Sequence, residues 1–147
     1  MALLGGGVGG AGNPVGGSFT GPAQALEIIG DHAYAYSGGF PASSTVATRL
    51  KFTTGNYLFV GEIRMAGMVD LATASGGSIM TMGVTMNGQT VLVGKCEGAD
   101  ERMPTSDVVP FIIPAYTEVE VTQDAQNDDV NFTGTISMTG RIYRTRD

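Results

Sequence analysis

Ile79-Met80-Thr81-Met82-Gly83-Val84-Thr85-Met86-Asn87-Gly88-Gln89-Thr90-Val91-Leu92-Val93 is the stretch that decides the fold class. Two runs rich in β-branched residues and methionine flank an Asn-Gly pair. Asn-Gly readily adopts the two positive φ angles of a type I′ turn, whose twist matches that of the strands it joins. The stretch therefore reads as a β-hairpin with strands at 78–86 and 89–96, its register fixed at the turn.

Working outward, Tyr116-Thr117-Glu118-Val119-Glu120-Val121-Thr122 alternates apolar and polar side chains with period two, which sets one face on a core and the other in water. Phe132, Ile136, Met138 and Ile142 alternate less strictly with Thr133, Thr135, Ser137 and Thr139, and Gly134 and Gly140 mark bulges or close approaches there. Further segments rich in Val, Ile, Thr, Tyr and Phe lie between Gly, Pro, Asn and Ser clusters. They place strands at 24–29, 32–37, 46–54, 57–69, 108–113, 117–123 and 132–143. No stretch holds a 3.6-residue period over ten positions, so any helix is short, and no internal repeat is present. Nine short strands predict an all-β fold, an antiparallel β-sandwich of jelly-roll type, with a small closed barrel as the alternative.

Residues 1–22 differ in composition. Gly5, Gly6, Gly7, Gly9, Gly10, Gly12, Gly16, Gly17 and Gly21 leave little side chain to bury and much backbone entropy to lose. This segment is expected to be a flexible arm, disordered alone and able to order on a neighbouring subunit that provides the missing burial. The division is thus an arm over 1–22 and a single sandwich domain over 23–147, since a chain of 147 residues needs most of its apolar side chains for one interior.

The 23 glycines and the 15% charged content suggest turns, packed sheets or an assembly surface. A net charge of −6 argues against nucleic acid as the main ligand, which requires clustered Lys and Arg. Arg141, Arg144 and Arg146 make the C-terminus locally basic and read as a solvated tail. Cys96 is the only cysteine, so no disulfide can form within the chain, and Lys95 and Glu97 beside it give no activating environment. No apolar run approaches the roughly 20 residues that span a bilayer. The opening Met1-Ala2-Leu3-Leu4 lacks a positive n-region and stops at Gly5, which predicts a protein made in the cytosol and not exported by a signal peptide.

Each candidate for chemistry has a plainer reading. Gly7-Val8-Gly9-Gly10-Ala11-Gly12 matches a dinucleotide-binding fingerprint in letters only, because no strand leads into it and Asn13-Pro14 follows. His32, the sole histidine, has Asp31 beside it; neighbours in a strand point to opposite faces, so Asp31 is not expected to orient it. A turn Asp and a partly exposed strand His is the expectation, and a hydrolase with His32 as base ranks last because no partner nucleophile is evident. Asp124, Asn127, Asp128 and Asp129 carry calcium-type oxygens without the EF-hand spacing and read as a polar loop. Asn131-Phe132-Thr133 is a formal glycosylation sequon that matters only in a secreted chain. Met65, Met68, Met80, Met82 and Met86 read as adaptable core or interface filling. The expectation is therefore no catalytic, cofactor-binding or metal residue and no cofactor.

The segments Val109-Pro110-Phe111-Ile112-Ile113-Pro114-Ala115-Tyr116-Thr117-Glu118-Val119-Glu120-Val121-Thr122 and Phe132-Thr133-Gly134-Thr135-Ile136-Ser137-Met138-Thr139-Gly140-Arg141-Ile142-Tyr143 resemble the closing strands of small bacteriophage virion proteins, of the capsid decoration or cement type with jelly-roll folds. The resemblance implies a structural role in the virion. Such a protein is a homo-oligomer, often a trimer, seated on major capsid or other virion proteins, with an N-terminal arm reaching across neighbours. It implies no catalytic or ligand residues. The alternative from the residues themselves is a carbohydrate-binding or receptor-binding module, with Tyr34 and Tyr36 in loops at one end of the sandwich and Tyr57, Tyr116 and Tyr143 as further aromatics in a chain without Trp.

Overall fold

The computed structural model describes residues 26–69, 79–97, 105–126 and 128–144. The expected arm over 1–22 and the dinucleotide-like glycines lie outside them. The described residues form ten strands and no helix: β1 (Glu27–Ile29), β2 (His32–Tyr36), β3 (Phe40–Ala42), β4 (Ala47–Thr53), β5 (Tyr57–Val69), β6 (Ile79–Met86), β7 (Gln89–Glu97), β8 (Thr105–Ile113), β9 (Glu118–Ala125) and β10 (Asp129–Arg144). All pairings are antiparallel.

One sheet has the order β1-β2-β10-β5-β8, with β3 lying beside β10 beyond the end of β2, and the other has the order β4-β9-β6-β7. The chain crosses between sheets from β3 to β4, β4 to β5, β5 to β6 and at each step from β7 to β10. With β2 and β3 taken together as the first strand, this is the double-sheet connectivity of a jelly roll. The two sheets stay separate among the described residues, which favours the sandwich over the closed barrel.

The hairpin forms as the Asn-Gly pair requires, with φ of 48° at Asn87 and 80° at Gly88. The turn sets the register only locally. Val84 faces Leu92 while Thr85 faces Thr90, so Val91 is an extra residue and the pairing shifts by one at a bulge.

The central strand β10 alternates more strictly than its sequence suggests. Phe132, Gly134, Ile136, Met138 and Ile142 are buried and Thr133, Thr135, Thr139 and Arg141 are exposed. The pattern is blurred in the sequence because glycine occupies inward positions 134 and 140. There is no bulge against β5, whose register is continuous from Phe132↔Val69 to Arg144↔Tyr57. Both glycines are close approaches instead. Gly140 faces Gly61, and the Cζ of Phe59 lies 2.7 Å and 2.8 Å from where a Cβ at Gly61 and at Gly140 would stand. Phe40 and Met80 cover Gly134 in the same way, at 2.7 Å and 2.8 Å.

β3 is the one strand absent from the sequence reading. It holds three residues, contains Pro41 and follows Ser37-Gly38-Gly39, all signals of a turn. Its outward-facing proline and its short pairing with β10 let the proline sit where no ladder donor is needed. Of the three C-terminal arginines, Arg141 and Arg144 are not a tail but belong to β10 and pair with Val60 and Tyr57 of β5, while Arg146 lies outside the described residues.

The core lies between the sheets. Phe59, Ile63 and Met65 of β5 and Phe132, Ile136 and Met138 of β10 meet Met80, Met82 and Val84 of β6 and Val119 and Val121 of β9, all essentially inaccessible. Each such side chain contributes roughly 1.5–3 kcal/mol by leaving water. The methionines expected as filler are core for Met65, Met80 and Met82, while Met86 is half-buried against it. Their flexibility is used: the Met65 methyl reaches the other sheet and packs on the bare backbone of Gly94 in β7.

Candidate functional site

Two features of the surface are built rather than merely exposed. The first is a sheet edge. An open sandwich presents rows of unpaired backbone groups at its edges, and each must be covered or blunted. Here β1 and β3 are three residues each, and β8 carries Pro110, which has no N–H to offer. β4 is disrupted at Arg49, an extra residue between Thr48↔Thr122 and Leu50↔Val121. The Arg49 side chain folds inward, its guanidinium 4.3 Å from the centre of the Phe40 ring and its Nη2 donating to Gln123 Oε1 at 2.9 Å. Burial lowers its pKa, and its Nε has no hydrogen-bond acceptor. Gln123, fully buried, completes the link by donating from Nε2 to the Ser43 carbonyl at 3.0 Å.

β7 is interrupted only near its start. It is nine residues long, and beyond its bulge at Val91 it runs regularly from Leu92 to Glu97. Its outer face carries Val91 and Val93, 49% and 67% exposed. β7 and β8 lie against each other where the sandwich closes, and Val108 and Ile112 of β8 are 38% and 58% exposed. Where the two sheets meet, Val91 and Val93 are thus exposed on one sheet and Val108 and Ile112 on the other, and β7 is hydrogen-bonded to a strand on one side only among the described residues.

The second feature is a shallow groove of about 520 Å³ on the outer face of β2, β10 and β5. Strand β2 buries Ala33 and Ala35 and turns His32, Tyr34 and Tyr36 outward. The register then builds two rows across the sheet: His32, Arg141 and Val60, and Tyr34, Thr139 and Glu62. Between the rows the floor is the backbone of Ala33, Gly140 and Gly61. Tyr34 and Tyr36 lie with ring centres 5.3 Å apart and planes tilted by 32°. They stand on the sheet face and not on end loops as the sequence suggested, because the strand alternation carries both onto the outer surface. Glu27, paired with Tyr34, is buried with Oε1 unpartnered, and burial raises its pKa. Burial, followed by the charge of Glu27 and then Tyr36, raises the Tyr34 phenol as well, so it stays a hydroxyl donor.

His32 and Asp31 do meet, contrary to the strand-parity argument. Asp31 lies in the turn opened by Gly30 (φ 66°), outside the strand, and its Oδ1 is 3.5 Å from His32 Nε2. Its Oδ2 is 3.8 Å from Arg141 Nη1. Both His32 and Asp31 are 64% exposed, the turn Asp and exposed strand His expected from the sequence. Of the proposed calcium residues, Asp124 lies in β9 and Asn127 lies outside the described residues. Asp128 accepts from Ser44 N at 2.6 Å and Ser44 Oγ at 2.9 Å, which lowers its pKa. No group of three or more His, Cys, Asp or Glu converges among the described residues. Cys96 lies in β7 opposite Met80.

Sequence reasoning missed the edge and the groove floor. Both depend on which strands become neighbours, and of the floor residues only Gly140 reads in the sequence as a bulge or close approach. The fold is a jelly-roll sandwich in which, among the described residues, β7 pairs with a strand on one side only. Neither known family models nor curated proteins match the chain.

Proposed function

We propose that this protein is a structural virion subunit of the capsid decoration or cement type, which assembles with copies of itself and seats on other virion proteins. The observation that carries the reading is the row of exposed branched residues beside a regular edge: beyond its bulge at Val91, β7 pairs without interruption over Leu92–Glu97 and carries the exposed Val91 and Val93, with Val108 and Ile112 exposed on the adjacent β8. Exposed branched residues along an open edge favour burial against another protein surface. The jelly-roll frame supplies a rigid body, and residues 1–22 are proposed to add contacts on neighbouring subunits that stabilise the assembly through mass action. The test is the mass of the full chain in solution by light scattering across a concentration series. A discrete oligomer is expected; a monomer at every concentration contradicts the reading.

A further inference from the structure

The assembly reading leaves the outer-face groove without a role, and the groove lies on the sheet that does not contain β7. Its lining is unusual for a sheet face exposed to water. Two tyrosine rings 5.3 Å apart make an apolar shelf, and Tyr36 is 38% exposed. Around the shelf stand Thr139 and Glu62 in one row and His32 and Arg141 in the other. The space lies between the two outward rows, where the inward residues Ala33, Gly140 and Gly61 present only backbone, and the Gly61–Gly140 pair lets Phe59 pack closely beneath that floor.

The chemistry of this lining selects a ligand class. An aromatic face attracts the positive edge of C–H groups, so a flat ring with one face of C–H bonds suits the Tyr34–Tyr36 shelf. The surrounding groups mix donors (Arg141, the Tyr34 hydroxyl) with acceptors (Glu62, Thr139), as a ligand with many hydroxyls requires. A strongly anionic ligand is disfavoured by Glu62 and by Asp31, which already faces Arg141 at 3.8 Å. A purely apolar ligand would leave these polar groups desolvated and unpaired. An extended peptide would need a free strand edge, and the groove lies across paired strands.

We propose that the groove binds a neutral pyranose saccharide, stacked on Tyr34 and Tyr36 and hydrogen-bonded by Glu62, Thr139 and Arg141. An open site of this size gives weak binding per sugar, with a dissociation constant on the order of millimolar. Repetition of the site in an assembly would raise the avidity.

The experiment is a screen of the full chain on an array of neutral and acidic glycans, followed by NMR titration of the best neutral saccharide against the wild type and variants. Tyr34→Ala and Tyr36→Ala are each expected to weaken binding by roughly tenfold, and Tyr36→Phe to retain it, because stacking on the ring provides the affinity. Tyr116→Ala, at a 72% exposed residue in the β8–β9 turn, is expected to change nothing. The exposed Tyr36 variants keep the test valid should Tyr34→Ala disturb the fold. Failure of every neutral saccharide to bind at about 10 mM, preference for acidic glycans alone, or binding indifferent to Tyr36→Ala would each overturn the proposal.

Discussion

At the scale of single residues, the facing glycines show how absence of a side chain is itself structural. A Cβ at Gly61 would overlap the Thr139 carbonyl, and one at Gly140 the Val60 carbonyl, with Phe59 above both. None of the three obstacles yields readily, because two are backbone groups of a continuous ladder and the third is the fully buried Phe59 ring. Gly61→Ala and Gly140→Ala should each cost about 3 kcal/mol or more in urea unfolding, at the upper end of overpacking penalties. At Gly83 the nearest atom to an added Cβ is Thr122 Oγ1 at 3.5 Å, an ordinary contact. Gly83→Ala should therefore be neutral or stabilise by about 0.5 kcal/mol through reduced backbone entropy in the unfolded chain. Equal effects at all three sites would contradict the packing described.

Glu27 is a buried residue whose protonation bears on stability. Burial raises its folded pKa, so the folded state prefers the neutral carboxyl. That preference contributes fully below the ordinary Glu range and is lost as pH rises through the raised value. Once the pH is high enough to ionise Glu27, its charged, unpartnered Oε1 is a cost that Glu27→Gln removes, and the variant should melt about 2–4 °C higher there, equivalent to about 1 kcal/mol. The gain should shrink as the pH falls below the Glu27 pKa, and a gain independent of pH would show that charge is not its source.

At the scale of elements, the Asn87-Gly88 turn does more than reverse the chain. Asn87 N donates to the Glu118 carbonyl at 2.9 Å, and Asn87 Oδ1 accepts from Glu118 N at 2.9 Å, tying the hairpin tip to the start of β9. Asn87→Ala loses the side-chain bond and puts alanine at positive φ, which should cost about 1–2 kcal/mol. Gly88→Ala meets nothing within 4 Å and isolates the φ term alone, about 1 kcal/mol. Both should lower the urea midpoint without changing the slope, whereas an unaltered midpoint for Asn87→Ala would remove the tip from the account.

The elements were largely readable because their signals are local. Asn-Gly marks a turn whatever surrounds it, and Glu118-Val119-Glu120-Val121 alternates with the period of a pleat. What failed to show were features set by neighbours in space. β3 hides behind Pro41 because its pairing partner is 92 residues or more away in the chain at Gly134↔Phe40 and Thr133↔Pro41. The bulges at Arg49 and Val91 exist only relative to β9 and β6. Asp31 reaches His32 because the turn extends through Asp31, which the parity argument had set in the strand, and the groove requires β2, β10 and β5 side by side.

At the scale of the whole molecule, the β7 edge and the groove lie on different sheets and are separable by mutation. The central claim is that the β7 side is an assembly surface. Val93 is 67% exposed on an edge strand and contributes nothing visible to the core, so Val93→Lys should leave the melting of the isolated subunit unchanged within about 0.5 kcal/mol. In an assembly the same change places a charge in a buried contact, where it is strongly disfavoured. The most direct measurement is light scattering coupled to size exclusion on the full chain and on Val93→Lys at matched concentrations. The account predicts a discrete oligomer for the full chain and a smaller species for the variant; identical masses for the two would contradict it.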